Sequence, residues 1–191
     1  MIEIRIHGRG GQGNVVAAYV LAGAAFNAGQ YCQAFPAFGA ERRGAPVVAF
    51  VRIHDSPIKR RSQVRTPDYL IIQDEHLLHD PTLTAGLKPG GGCLVNSNLT
   101  SDALSDQYGM PMVALPAAQM SMATLGRAVP NVPLLAAFLT LTQLVPHDAL
   151  KTALAERFKG PVLEKNILLV DDAATRVETG AWKEVSLARS A

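Results

Sequence analysis

The 191-residue chain has a formal net charge of +2 and is 48% hydrophobic. That composition supports one substantial core and excludes a surface that binds polyanions through overall charge. The longest apolar stretches, near Val15 to Phe26 and Pro133 to Val145, are interrupted and too short for a bilayer span. The first residues, Met1 to Ile6, alternate apolar with charged side chains and lack the pattern of a signal peptide. A single cytoplasmic domain over residues 1–191 is expected, without a membrane partner.

In chain order, Ile2 to His7 reads as a strand and Gly8 to Gly13 as a glycine-rich strand-to-helix turn. Asn14 to Ala28 then reads as a helix with Val16, Val20, Ala24 and Ala28 at four-residue spacing, stopped by Gly29. A short strand at Tyr31 to Ala34 leads into an irregular loop, Phe35 to Pro46, in which two prolines and two glycines oppose regular structure. Val47 to Ile53 and Tyr69 to Gln73 are strand-like, as are the shorter Leu94-Val95 and Met112 to Leu115, with helical segments expected between the later strands. Helices are expected at Ala117 to Arg127, Pro133 to Leu144, His147 to Phe158 and Leu163 to about Glu178, Pro133 and Pro161 suiting helix starts and Asp148 a first turn. The order implies a three-layer α/β, Rossmann-like domain with a helical C-terminal portion.

Gly8-Arg9-Gly10-Gly11-Gln12-Gly13 satisfies GxGxxG, so amides at the helix start are available to a phosphate. An NAD site also requires an acid about twenty residues on. That region reads Gln30-Tyr31-Cys32-Gln33, and the first acid is Glu41, inside the loop. The turn therefore has two other readings, a structural or subunit-contact turn and contact with another phosphate-bearing cofactor through Gly10, Gly11, Gln12 and Gly13. No lysine follows to make a P-loop.

The Phe35 to Pro46 loop combines apolar anchors with Glu41, Arg42 and Arg43. Such chemistry is enriched at protein interfaces, so Phe35, Pro36, Phe38, Glu41, Arg42 and Arg43 are candidates for contact with a partner subunit. Arg42 or Arg43 alternatively suits a carboxylate or phosphate. Seven of the eighteen basic residues, Arg42, Arg43, Arg52, Lys59, Arg60, Arg61 and Arg65, concentrate in one stretch and create a local positive field. The Lys59-Arg60-Arg61 run lacks interleaved aromatics, which argues against a nucleic-acid partner.

Cys32 and Cys93 lie far apart and cannot by themselves supply a four-cysteine cluster; small buried free thiols are expected. His76-x-x-His79 has no third ligand nearby and reads as a solvated helix face. Asp74-Glu75 and Asp171-Asp172 are adjacent pairs that point in different directions. No catalytic residue emerges, and a binding or scaffold role is better supported than independent catalysis.

Two blocks, Gly8-x-Gly10-Gly11-Gln12-Gly13 and Phe35-Pro36-Ala37-Phe38-Gly39-Ala40-Glu41-Arg42-Arg43-Gly44-Ala45-Pro46, together resemble the gamma subunit of pyruvate and related 2-oxoacid:ferredoxin oxidoreductases. The likeness continues through Val51-Arg52-Ile53, Pro57-Ile58, Pro67-Asp68-Tyr69 and Glu164-Lys165-Asn166. It implies a hetero-oligomer of alpha, beta, gamma and delta-type subunits that decarboxylates a 2-oxoacid on thiamine diphosphate with Mg2+. Electrons pass through [4Fe-4S] clusters to ferredoxin or another acceptor, and the acyl group passes to coenzyme A. Thiamine diphosphate and the clusters are implied on partner subunits, and this chain is implied to be non-catalytic. The competing reading is a free-standing NAD- or flavin-binding oxidoreductase using the glycine turn.

Overall fold

The computed structural model describes residues 1–37 and 45–184. Among them, six strands form one sheet in the order β2-β3-β1-β4-β5-β6: β1 Ile2–Arg9, β2 Tyr31–Pro36, β3 Pro46–His54, β4 Tyr69–Ile72, β5 Gly92–Asn96 and β6 Val113–Leu115. β1, β4, β5 and β6 run parallel, whereas β3 is antiparallel to both β1 and β2. The helices are α1 Asn14–Asn27, α2 Ser101–Tyr108, α3 Ala117–Leu125, α4 Asn131–Thr142, α5 His147–Arg157 and α6 Gly160–Ala174.

The period-two geometry of strands divides β1 between two environments. Ile2, Ile4 and Ile6 enter the larger core with Ala49, Val51 and Ile53 of β3 and Tyr69 and Ile71 of β4. Helices α1, α4, α5 and α6 supply the other wall of that core. On the opposite face, Leu70, Ile72, Cys93 and Val95 pack with Leu77, Leu78 and Leu104 in a second, smaller core. The domain is thus three-layered, but the second helical layer is thin, consisting of α2 and a short 3-10 helix at Glu75–His79.

All twelve residues of α4 are buried. An apolar helix without a polar face is stable only when enclosed, and α4 lies in the large core between the sheet and its neighbouring helices. Its two threonines do not leave bare hydroxyls, because Thr140 and Thr142 donate to the carbonyls of Ala136 and Phe138 at 2.9 and 2.8 Å. The segment after α6 returns to this helix: the Gly180 and Trp182 amides donate to the carbonyls of Thr140 and Leu141 at 2.9 and 2.8 Å. Trp182 stacks on Tyr69, which meets the edge of Phe138. A Cβ on Gly92 would stand 2.7 Å from the Trp182 ring, so the glycine makes room for it.

Several expected boundaries shift. β2 continues through Phe35 and Pro36 and β3 begins at Pro46, because both ends pair in a regular antiparallel register, with Pro36 opposite Ala49. Those residues are strand, not loop. The helical segments expected between the later strands are a short 3-10 helix followed by turns between β4 and β5, and α2 between β5 and β6. α4 starts at Asn131, two residues before Pro133, and α6 starts at Gly160 with Pro161 in its first turn and ends at Ala174. α3 ends at Leu125, where Gly126 takes the left-handed conformation at φ 71°.

Candidate functional site

The glycine turn joins β1 to α1, and its shape follows from two tight approaches. A Cβ on Gly8 would lie 2.3 Å from Asn14 Oδ1, and one on Gly13 would lie 2.7 Å from Asn131 Nδ2. Gly13 also has φ 82°, a conformation costly for residues with a side chain. The Gly10 amide donates to the Ala45 carbonyl at 3.0 Å, and the Arg9 amide donates to Gln12 Oε1 at 2.7 Å. Asn14 Nδ2 donates to the Val47 carbonyl at 2.9 Å, tying the start of α1 to β3.

Gly10, Gly11 and Gly13 line one cleft of about 250 Å³ with Arg9, Val16 and Val47. The start of α1 has no side-chain cap, so its amides are offered to whatever occupies that cleft, with the favourable end of the helix dipole behind them. Gln12 instead lines a neighbouring cleft of about 220 Å³, at the carboxyl ends of β4 and β5. The sequence motif therefore divides between two adjoining depressions.

The dinucleotide fingerprint meets a topological obstacle here. In such sites, the parallel second strand beside β1 carries the ribose-binding acid. In this sheet the next strand in sequence, β2, is separated from β1 by antiparallel β3, and the parallel neighbour of β1 on its other side is β4.

Phe35 and Pro36 are both partly buried. Phe35 packs against Phe50 with ring centroids 5.2 Å apart, and the Arg52 guanidinium lies 5.5 Å from the Phe35 centroid. Phe38, Glu41, Arg42 and Arg43 lie outside the described residues. Arg52 departs from its assignment to a positive surface: it is fully buried and donates to Glu3 Oε1 at 2.8 Å and to the Ser62 carbonyl at 2.6 Å. Alternation along β3 turns it inward, toward the partner presented by β1. Lys59, Arg60, Arg61 and Arg65 remain exposed and keep the local positive field.

Glu75 and His76 line the Gln12 cleft beside Gln73. His76 and His79 are exposed with ring centroids 6.3 Å apart, as the solvated-face reading requires. Asp74 accepts from Arg9 Nε at 2.5 Å and from the His76 amide at 3.0 Å. Asp171 pairs with Lys151 and Asp172 with Arg176, so neither acidic pair acts as one unit. Gln73 is the residue the sequence left unmarked; its signal is a polar side chain closing the apolar run Tyr69 to Ile72.

His7 presents a different chemistry. It sits on β1 facing away from the large core, 8% exposed, and its Nε2 has no hydrogen-bond partner among the described residues. Burial, assisted by the positive charge of Arg5 and opposed by Asp80, lowers its pKa from 6.5 to about 3. Because the folded value is the lower one, protons favour the unfolded chain. Stability is expected to be constant above the free value and to fall as pH drops from 6.5 toward 3, by up to about 1.4 kcal/mol per pH unit. Urea unfolding of the chain and of His7→Gln at pH 7 and pH 5 checks this, the variant showing the shallower loss.

Cys32 on β2 is half-buried and Cys93 on β5 is buried, with β3, β1 and β4 between them. Burial raises both thiols, Cys93 to about 12. Two separated neutral thiols do not match the four thiolates that a [4Fe-4S] cluster takes, and the described residues contain no group of three or more His, Cys, Asp or Glu suited to a metal ion. No helix among the described residues is long and apolar enough to cross a membrane.

Against this geometry, residues 3–176 match the sequence model described as pyruvate ferredoxin/flavodoxin oxidoreductase. The chain belongs to that family, as a gamma-type subunit. It is 47% identical over 168 residues to pyruvate synthase subunit PorC of Methanothermobacter thermautotrophicus, covering 87% of this chain and 90% of the relative. Identity to the pyruvate/ketoisovalerate oxidoreductases common subunit gamma of Thermococcus kodakarensis is 42% over 176 residues, covering 91% and 95%. Among solved structures, the pyruvate oxidoreductase subunit PORC of Thermotoga maritima superposes with a TM-score of 0.82 at 34% identity, covering 93% of this chain and 97% of that one. The Rossmann-like α/β architecture is therefore that of the gamma-type oxidoreductase subunits.

Proposed function

We propose that this gamma-type chain is the non-catalytic, single-domain subunit of a cytoplasmic, thiamine diphosphate-dependent 2-oxoacid:acceptor oxidoreductase. Thiamine diphosphate, Mg2+ and the [4Fe-4S] clusters belong to alpha, beta and delta-type partners, and electrons leave to ferredoxin or another acceptor. The observation that carries this reading is the nearly end-to-end similarity to relatives named as separate subunits. Among the described residues no donor set suits a metal ion, and the tasks assigned to this chain are assembly and contact with the acyl acceptor.

Coenzyme A supplies the thiol that accepts the acyl group. Its phosphates suit the uncapped amides at the start of α1, where Gly10, Gly11 and Gly13 keep side chains out of the approach. Arg42 and Arg43 enter the proposal by their chemistry alone, since guanidinium groups make bidentate contacts to phosphate. Phe35, Pro36, Phe38 and Glu41 are assigned to contact with a partner subunit.

Two measurements test the proposal. Gentle anaerobic purification of the tagged chain is expected to bring down thiamine- and cluster-containing subunits; a lone, colourless chain under conditions that preserve complexes would sink it. In the assembled enzyme, replacing Arg42 and Arg43 together by alanine is expected to raise KM for coenzyme A roughly tenfold or more, with KM for the oxoacid unchanged. Unchanged coenzyme A affinity would remove the arginines from that role.

A further inference from the structure

β2 ends the sheet, and no strand among the described residues pairs with its outer edge. The Ala37 amide donates to the Val48 carbonyl at 2.7 Å. In the alternating ladder of an antiparallel pair, Tyr31, Gln33 and Phe35 therefore turn their main-chain groups to β3. Cys32 and Ala34 turn theirs outward, and Pro36 brings no amide to that edge. Edge strands are commonly guarded by charges, a proline or a bulge. Tyr31 to Phe35 has none of these: it contains no charged residue, its register with β3 is unbroken, and Pro36 comes only at the end.

The helix packed on that edge is unguarded in the same way. α1 lies against β2 and β3 and has no charged residue in its 14 positions. A helix apolar on every side belongs in an enclosed place, yet Tyr19 is 47% exposed and Phe26 71%. Seven residues apart, these two share one face of the helix. α5 does not cover them, because it runs along the flank that carries Gly23 and Asn27. A Cβ on Gly23 would stand 3.5 Å from Ala153 Cβ, and Asn27 Nδ2 donates to Glu156 Oε1 at 3.2 Å.

We infer that the edge of β2 pairs with the same edge of a second copy of this chain, antiparallel and centred on Gln33. A two-fold axis demands a self-complementary patch, and this segment supplies one. In that register Cys32 faces the copy's Ala34 and Ala34 faces the copy's Cys32, so every outward amide and carbonyl of the two residues finds a partner. Moving the centre to Ala34 sets Cys32 opposite Pro36, which has no amide to give; moving it to Cys32 sets Ala34 opposite Gln30, outside the strand. Cys32 and Ala34 pack against the large core, which puts Tyr31, Gln33 and Phe35 on the other face, where Phe35 meets Phe50. There Tyr31, 49% exposed, comes opposite the copy's Phe35. The two α1 helices come alongside each other across the axis and bring cover to Tyr19 and Phe26. The inference stands on this chain's own edge and is independent of the coenzyme A reading.

Gln33→Cys tests the register. In a non-hydrogen-bonded antiparallel pair the Cα atoms stand about 4.5 Å apart, within disulfide range, so diamide treatment of the assembled enzyme is expected to link two copies of the variant chain. Tyr31→Cys is expected not to link, because the two positions lie roughly 13 Å apart along the ladder; the parent, with Cys32 on the core face, is expected not to link either. Sedimentation of the full chain by itself is expected to show a dimer. Ala34→Pro, which removes an outward amide and no bond to β3, and Phe26→Lys, at an exposed position, are each expected to weaken that dimer roughly tenfold or more while melting near the parent. Gln33 Nε2 also donates to the Ile58 carbonyl at 3.2 Å; should Gln33→Cys fail to fold, the two sedimentation variants carry the test. No link between copies in a folded Gln33→Cys enzyme, or a dimer equally tight in both other variants, would overturn the inference. A link from Gln33→Cys to a different subunit would also overturn it and give the edge to that subunit. A dimer of this chain purified without other subunits would support the pairing while sinking the oxidoreductase-subunit reading, so the two fail separately.

Discussion

Arg52→Ala is expected to destabilise the folded chain by about 3–5 kcal/mol, because it leaves the Glu3 carboxylate buried opposite an empty position. Glu3 is 4% exposed and Arg52 0%, so water cannot replace the lost partner cheaply. The guanidinium also closes the Ser62 carbonyl at 2.6 Å and reaches the Arg60 carbonyl at 3.4 Å. Its loss therefore loosens the basic loop as well as the sheet. Arg60 Nη1 stands 3.6 Å from Glu3 Oε2 but is largely exposed, and the compensation it offers is small. Urea unfolding at pH 7 measures the difference. The double replacement of Glu3 and Arg52 by methionine is expected to recover most of it, since no unpaired charge then remains; a double variant as unstable as the single one would mean that packing, not charge, sets the cost.

Phe138→Ala is expected to cost a similar amount, about 3–5 kcal/mol, through a cavity at the centre of the large core. Phe138 is 0% exposed and meets Tyr69 edge-on with centroids 5.3 Å apart. Tyr69 stacks on Trp182 at 5.6 Å, so the vacancy lies two rings away from the only tryptophan in the chain. Fluorescence supplies a second readout: emission from Trp182 is expected to shift to the red before global unfolding. Calorimetric melting together with that spectrum separates a local release of the C-terminal segment from simple loss of stability. A variant as stable as the parent would show that neighbouring side chains collapse into the space.

Much of this architecture can be read from residues whose roles are local. The alternation of Ile2, Ile4 and Ile6, the glycines that follow and the small residues of α1 announce strand, turn and helix because each depends on neighbours within a few positions. The uniformly apolar stretch of α4 likewise announces a helix without an exposed face. Arg52 is the contrary case. In the sequence it joins a row of cations, whereas its burial depends on Glu3, 49 residues away in the chain and directly across the β1–β3 ladder. Phe35 to Pro46 reads as an irregular loop in the sequence, yet Pro36 and Pro46 stand at strand ends, where a proline loses little pairing. The glycine turn was visible as a candidate site, while Gln73 was not. Its place beside Gln12 comes from the convergence of β1, β4 and β5, which no spacing along the chain encodes.

The division of labour between the sheet and its helical cover also has a consequence for how the chain is made. β1 acquires its two neighbours once residues 54 and 72 have been synthesised, but the helices that complete the cover of Ile2, Ile4 and Ile6 span residues 117–174. At translation rates of about 5–20 residues per second, those 58 residues take about 3–12 s. Throughout that interval the growing polypeptide displays the sticky side of a nearly finished sheet. Early termination near residue 116 is therefore expected to yield an aggregating fragment rather than a smaller folded unit, and factors that shelter nascent chains have their greatest use in that window.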